Sequence, residues 1–397
     1  MPDARDGAMD RRIAGELESL REQAQFRSLE IRDGASGLNL CSNDYLGLSS
    51  DPRLKQAVLE AVERAERMGS TGSRLLSGNA REWEEIEAEF AAFAGTEAAL
   101  YFGSGYAANI GVLGSLLRLG DTVFSDALNH ASLIDGIRLS GAAKIIYPHG
   151  DLEFLEAALR EAADGSGARV IVTESVFSME GDVAPLDALV ALARKYDASL
   201  IVDEAHATGV WGPEGRGVVA ELGFERDVLA IVHTCGKALA STGAFVCGSG
   251  AMRDHLINRA RTFVFSTAMP PYFAGQIRAA LALARAADAE RAHLRVIATA
   301  LRDGLAAAGL TCGTSCAQIV PVILGANEAA LHVASEVRRG GFVVKAIRPP
   351  TVPPGTARIR ISLTSKVGIE DIRKLAAAIS VAHKSLPHSI SASVVHA

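Results

Sequence analysis

The sequence predicts an α/β protein with a mostly parallel, seven-stranded sheet sandwiched by helices, followed by a smaller α+β domain. Short β-branched or aliphatic runs alternate with amphipathic stretches through the middle of the chain. A mostly parallel sheet covered on both faces is the economical way to bury such a pattern. After about Leu281 the character changes to an Ala-, Leu- and Arg-rich helix and then a few short strands.

The strands of the main sheet are expected at 98–102, 122–125, 144–147, 169–173, 199–202, 229–233 and 244–247. Among the helices, Trp83, Ile86, Phe90 and Phe93 recur at helical spacing in a stretch that Gly95 ends. Leu152, Leu155, Ala158 and Leu159 do the same behind an Asp151 cap. In the C-terminal part, 319–324 and 357–363 read as strands. The expected division is an N-terminal segment (1–44), a large domain (45–280), a small domain (281–383) and a loose tail (384–397) that lacks periodicity.

With 49% of its 397 residues apolar, the chain can bury one large core and a satellite. Its 40 basic residues against 46 acidic ones, with no long basic run, argue against nucleic acid or an anionic membrane and for a small-molecule partner. Cys41, Cys235, Cys247, Cys312 and Cys316 lack zinc-site spacing, so they read as reduced thiols of a cytoplasmic protein, and no metal is expected. The first twenty residues lack the apolar core of a signal peptide, and no uninterrupted apolar run approaches the roughly 20 residues that cross a bilayer.

In such sheets ligands gather at the carboxyl ends of the strands, and four motifs lie there. FGSGYAAN (102–109) ends a strand in Gly103, Ser104 and Gly105 where a helix begins, which is either a plain turn or a cradle of amides for an anion. In SLIVDEAHATG an apolar strand runs into Asp203, with His206 three residues on. Asp203 either caps the next turn or faces a protonated ring nitrogen, since a carboxylate there is costly to bury without a cation. In LAIVHTCGKALAST the strand leads through Thr234 to Lys237, either a snorkelling surface lysine or a nucleophile that captures an aldehyde. NHASL places His130 in a loop or flat against a ring, and VTESVFSMEGD adds Glu174 and Ser178. An anion cradle, a strand-end carboxylate and a strand-end lysine together are the parts of a pyridoxal phosphate site.

The chain resembles the α-oxoamine synthases from about Leu38 to Val381: CSNDYLGL, GSTGSRLLSGN, FGSGYAAN, NHASL, VTESVFSMEGD, VDEAHATGVWG, TCGKALA and STAMPP occur in family order. The resemblance implies a pyridoxal-phosphate-dependent transferase of fold type I, a homodimer that joins an amino acid to an acyl thioester with loss of carbon dioxide. It implies Lys237 as the Schiff-base lysine, Asp203 against the pyridine nitrogen and His130 stacked on the ring and near the substrate. Ser178, His206 and Thr234 would be further cofactor contacts, Gly105 and Tyr106 would give amides to the phosphate, and Ser266 and Thr267 would reach the neighbouring subunit's phosphate. Asn43 and Arg360 would hold the amino acid's carboxylate, with Thr351 and Arg27 also on the substrate and Arg21 competing for the place of Arg27. Within the family, AIRPPTVPPGTARIR (346–360) is most similar to the member that uses L-alanine and a pimeloyl thioester, on coenzyme A or acyl carrier protein, in biotin biosynthesis.

Two positions depart from the family pattern. Ala240 stands where a glycine is usual, three residues after the lysine, and Cys235 stands where an aromatic or aliphatic residue is common. Sister enzymes that use glycine or serine are the nearest alternative, and a non-catalytic binding module is the alternative from another class. A nicotinamide dehydrogenase lacks its glycine fingerprint here.

Overall fold

In the computed structural model, which describes residues 7–30 and 37–387, the chain divides into two compact units. Residues 43–295 and 364–366 form the larger unit; the described residues among 1–42, 296–363 and 367–397 form the smaller. The smaller unit opens with α1 (Ala8–Glu22) and the short strand β1 (Leu38–Asn39).

The larger unit begins with α2 (Pro52–Arg64) and α3 (Arg81–Ala94), followed by β2 (Ala98–Phe102), α4 (Gly105–Leu116), β3 (Thr122–Asp126), α5 (Ala131–Ser140) and β4 (Ala143–Tyr147). It continues through α6 (Leu152–Glu161), β5 (Arg169–Glu174), α7 (Leu186–Lys195), β6 (Ser199–Asp203), α8 (Val218–Leu222), β7 (Ala230–Thr234) and β8 (Ala244–Gly248). Then come α9 (Gly250–Arg259), α10 (Arg261–Val264) and α11 (Tyr272–Arg285), and the division between the units falls within α12 (Asp288–Ala307).

The seven strands form one sheet in the order β2-β8-β7-β6-β5-β3-β4. Only β8 runs against its neighbours. The architecture is the expected helix-flanked, mostly parallel one. Trp83, Ile86, Phe90 and Phe93 form the buried stripe of α3, and Gly95, at φ 73°, ends that helix in the left-handed conformation. Asp151 caps α6 by accepting a hydrogen bond from the Phe154 amide at 2.9 Å.

Five strands run one residue further at their carboxyl ends than the apolar pattern suggests; in three the extra residue is a carboxylate, Asp126, Glu174 and Asp203, and in the other two it is Thr234 and Gly248. A pattern reading stops at the first charge, but the ladder continues because the neighbour still offers partners, as in the register Asp126↔Tyr147 and Glu174↔Asp203. The parallel strands therefore deliver several polar side chains to one end of the sheet.

The larger unit extends past residue 280 because α11 packs along α2; a Cβ on Gly275 would lie 2.7 Å from the Ala61 methyl, so only glycine permits that approach. In the smaller unit, β9 (Ile319–Gly325), α13 (Asn327–Arg339), β10 (Phe342–Val343), β11 (Lys345–Ile347), β12 (Ala357–Ser362) and α14 (Ile369–Lys384) follow. Its antiparallel sheet has the order β11-β12-β9, while β1 pairs with β10 in parallel. Of the expected tail, residues 388–397 lie outside the described residues. Among the described residues no helix is long and apolar enough to cross a membrane.

Candidate active site

At the carboxyl ends of the parallel strands the larger unit encloses a cavity of about 340 Å³, lined by residues from the ends of β2, β5, β6 and β7 and from the loops around them. One wall is the start of α4. Ser104 caps it, its Oγ accepting from the Ala107 amide at 3.1 Å, which leaves the amides of Gly105 and Tyr106 as first-turn donors with no intrahelical acceptor. Glycine is required at 105: a Cβ there would sit 2.6 Å from Thr234 Cγ2.

In the same cavity, Asp203 ends β6 and is buried. Asn109 Nδ2 donates to its Oδ2 at 2.7 Å and the Ala205 amide to its Oδ1 at 2.9 Å. Asn109 also donates to Ser132 Oγ at 2.9 Å, and Ser132 meets His130 Nδ1 at 2.7 Å through its hydroxyl and at 3.2 Å through its amide. With the hydroxyl accepting from Asn109 and Nδ1 receiving two donors, this network places the His130 ring proton on Nε2. Burial pushes the His130 pKa down; the nearby Asp203 pulls it up and Lys237 pushes it further down, and the net direction is down. A neutral imidazole follows.

Lys237 lies on the turn after β7, its Nζ 3.5 Å from Thr234 Oγ1, and Thr234 in turn donates to the Ala205 carbonyl at 3.3 Å. The turn is closed by Cys235 N to Gly243 O and Ser241 N to Cys235 O, each 2.9 Å. Ala240 adopts φ 43° within it, the left-handed region that a glycine enters without strain. His206 is buried and joins the Tyr45 hydroxyl at 2.6 Å, which also donates to Asn43 Oδ1 at 3.2 Å.

Glu174 ends β5 beside Asp203 and also lines the cavity. Burial, first, and then the charge of Asp203 hold its carboxyl well above the usual carboxylate range. Neighbouring strands lie about 4.8 Å apart, where two full negative charges repel by roughly 3 kcal/mol at an effective dielectric constant of about 20. Next along the chain, Glu204 is pushed up to about 7 by burial, against donors from the Val219 amide, the Ser175 hydroxyl and the Val218 amide.

The residues present fit pyridoxal phosphate. Helix-start amides suit its phosphate, a buried and doubly hydrogen-bonded carboxylate suits a cationic ring nitrogen, and a lysine suits its aldehyde. Two cavity-lining oxygens, Asn109 Oδ1 and Glu174 Oε1, are buried without a protein partner, a condition that a polar ligand relieves.

Residues 35–379 match the aminotransferase class I and II family. The 8-amino-7-oxononanoate synthase of Geobacter sulfurreducens is 46% identical over 95% of this chain and 99% of its own length. That of Herminiimonas arsenicoxydans is 45% identical over 93% and 98%. The chain belongs to the α-oxoamine synthases, within the aminotransferase class I and II family. Among solved structures, the serine palmitoyltransferase of Sphingomonas wittichii matches this α-oxoamine synthase with a TM-score of 0.88 at 30% identity, over 97% of this chain and 99% of that one. The 8-amino-7-oxononanoate synthase of Francisella tularensis does so with a TM-score of 0.77 at 30% identity, over 88% and 98%. The chain is a pyridoxal-phosphate enzyme.

In this α-oxoamine synthase, Asn43, Gly105, Tyr106, His130, Asp203, His206, Thr234 and Lys237 line the one cavity. Ser178 is not among its lining residues; it is buried in the loop after β5, with its amide on Glu174 Oε2 at 3.2 Å. Ser266 and Thr267 are exposed, and Thr267 bridges Ser73. Arg27, Thr351 and Arg360 belong to the smaller unit. There Arg27 donates to Thr351 Oγ1 at 3.3 Å and to the Pro349 carbonyl at 3.4 Å, whereas Arg21 pairs with Glu18 at 3.0 Å and covers the Phe26 ring. Arg360 is buried on β12, with Nη1 2.6 Å from Ser362 Oγ.

Sequence reasoning assigned no role to Asn109, Ser132 or Tyr45. All three sit inside motifs already singled out, FGSGYAAN, NHASL and CSNDYLGL. For Asn109 and Ser132 the signal is a polar side chain at a buried position of α4 and α5; Tyr45 lies in a turn, where no helix or strand pattern marks it.

Proposed function

We propose that this enzyme condenses L-alanine with a pimeloyl thioester to give 8-amino-7-oxononanoate, carbon dioxide and the free thiol, as a cytoplasmic homodimer in biotin synthesis. The observation that carries the reading is the convergence of Lys237, Asp203 and His130 on one cavity, in a chain 42–46% identical, nearly end to end, to relatives that bear that enzyme's name.

Bound pyridoxal phosphate supplies an aldehyde for the lysine and a ring that takes up electron density from the amino acid's α carbon. The amides of Gly105 and Tyr106 hold its phosphate, with Ser266 and Thr267 of the other subunit. Asp203 would keep a proton on its ring nitrogen and His130 would lie against the ring, with His206 and Thr234, which line the cavity, adding hydrogen bonds. Asn43 and Arg360 take the amino acid's carboxylate, and Arg27 and Thr351 contact the rest of the substrate. Lys237 would take the α proton and later return one.

The test is mass spectrometry of the product after holoenzyme meets pimeloyl-CoA and an equal mixture of alanine, glycine and serine. A decarboxylated alanine adduct supports the reading. Because the serine palmitoyltransferase structures superpose so well, a glycine or serine adduct alone would move the enzyme to a sister activity. Repeating the assay with pimeloyl-loaded acyl carrier protein decides the carrier.

A further inference from the structure

Glu174 and Asp203 are register partners at the ends of adjacent parallel strands, both buried and both lining the cavity. The groups facing Glu174 are Asp203 on β6, Lys237 after β7, and the amides of His130 and Ser178. One lysine therefore serves two carboxyl groups. The hydrogen bonds decide which of the two carries the charge: Asp203 accepts two short ones, 2.7 Å from Asn109 and 2.9 Å from Ala205. Glu174 accepts a longer one, 3.2 Å from the Ser178 amide on Oε2, and faces the His130 amide, while its buried Oε1 makes no hydrogen bond to protein. An ionised carboxylate collects donors, and the better-solvated member of a close pair takes the charge.

We propose that Glu174 stands in the working enzyme as a neutral carboxylic acid, so that Asp203 is the single anion at the strand ends and the Glu174 O–H is a donor into the cavity. Glu174 is then a positioning residue. It keeps a second negative charge away from Lys237, whose amine must shed a proton to act as a nucleophile, and it leaves Asp203 to balance the cofactor's ring nitrogen alone. Burial and the Asp203 charge both favour the protonated form.

The proposal rests on the reading of Lys237 as the cofactor-linked lysine, and two measurements separate the two claims. Infrared spectra of the holoenzyme at about pH 9, where Glu204 has ionised, should show a protonated-carboxyl C=O band that Glu174→Gln removes and Glu204→Gln leaves. In wild type, labelling the glutamate carboxyls with carbon-13 should shift that band, a result that needs no folded variant. The visible absorbance of the bound cofactor, titrated with pH, should keep its midpoint within about half a pH unit in Glu174→Gln, because a neutral group has been exchanged for a neutral group. An absent or unshifted band, or a midpoint that falls by more than that, overturns the proposal. A Lys237→Ala protein that keeps the wild-type titration would instead overturn the lysine assignment and leave the infrared result standing.

Discussion

At the residue scale the site turns on how a carboxylate survives burial. Asp203 is held by Asn109 and the Ala205 amide, and a hydrogen bond to a charged group is worth about 1.5–3 kcal/mol. Asn109→Ala should therefore lower kcat by roughly 10- to 100-fold while cofactor is still bound; an unchanged kcat would mean that Asp203 holds its place without it. Lys237→Ala should cost at least about a thousandfold in turnover and retain some cofactor, and near-normal turnover would sink the mechanism. The His130 side chain belongs to the same chain of contacts through Ser132, so the network orients the ring and the carboxylate together.

At the scale of elements, the turn that carries Lys237 stores strain at Ala240, whose φ of 43° costs an L-residue about 1–2 kcal/mol. Glycine would relieve that strain but gain about 0.4–1 kcal/mol of unfolded-state freedom. Ala240→Gly is expected to raise the urea midpoint modestly, and a lower midpoint would show that the turn is better served by alanine. A second element-scale device joins the end of β3 to the loop after β5: His149 Nδ1 meets Asp126 at 3.0 Å and its Nε2 meets Asp182 at 2.9 Å. Burial opposes the cation, but the hydrogen bonds and charges of Asp126 and Asp182 outweigh it and raise the His149 pKa from 6.5 to about 10. A raised folded-state pKa stabilises fully below the unfolded value and loses that effect as pH climbs through the folded one. The stability gap between wild type and His149→Gln should accordingly shrink from about pH 7 to pH 10, as chemical denaturation at each pH would show; a gap that widens contradicts the ion pairing.

For the whole molecule, all residues that line the cavity belong to the larger unit, so cofactor removal should be felt there. Saturation at 100 times Kd stabilises by about 2.7 kcal/mol, and the apoprotein should melt at a lower temperature. Hydrogen exchange should quicken most at 103–109, 203–206 and 234–237. Equal melting of the apo and holo forms would mean that the cofactor binds without selecting the folded state.

The sequence by itself determined the strand-and-helix alternation, the Asp151 cap, the buried stripe of α3 and the strand-end positions of Asp203 and Lys237. These are local, because side-chain period, capping and turn chemistry act within a few residues. Only the tertiary structure decided that Asn109 meets Asp203 across 94 positions, that Tyr45 meets His206 across 161, and that Glu174 lies beside Asp203. Those contacts depend on which strands become neighbours and in what register. That choice is made by the burial of both faces of the sheet at once, a condition no window of sequence contains.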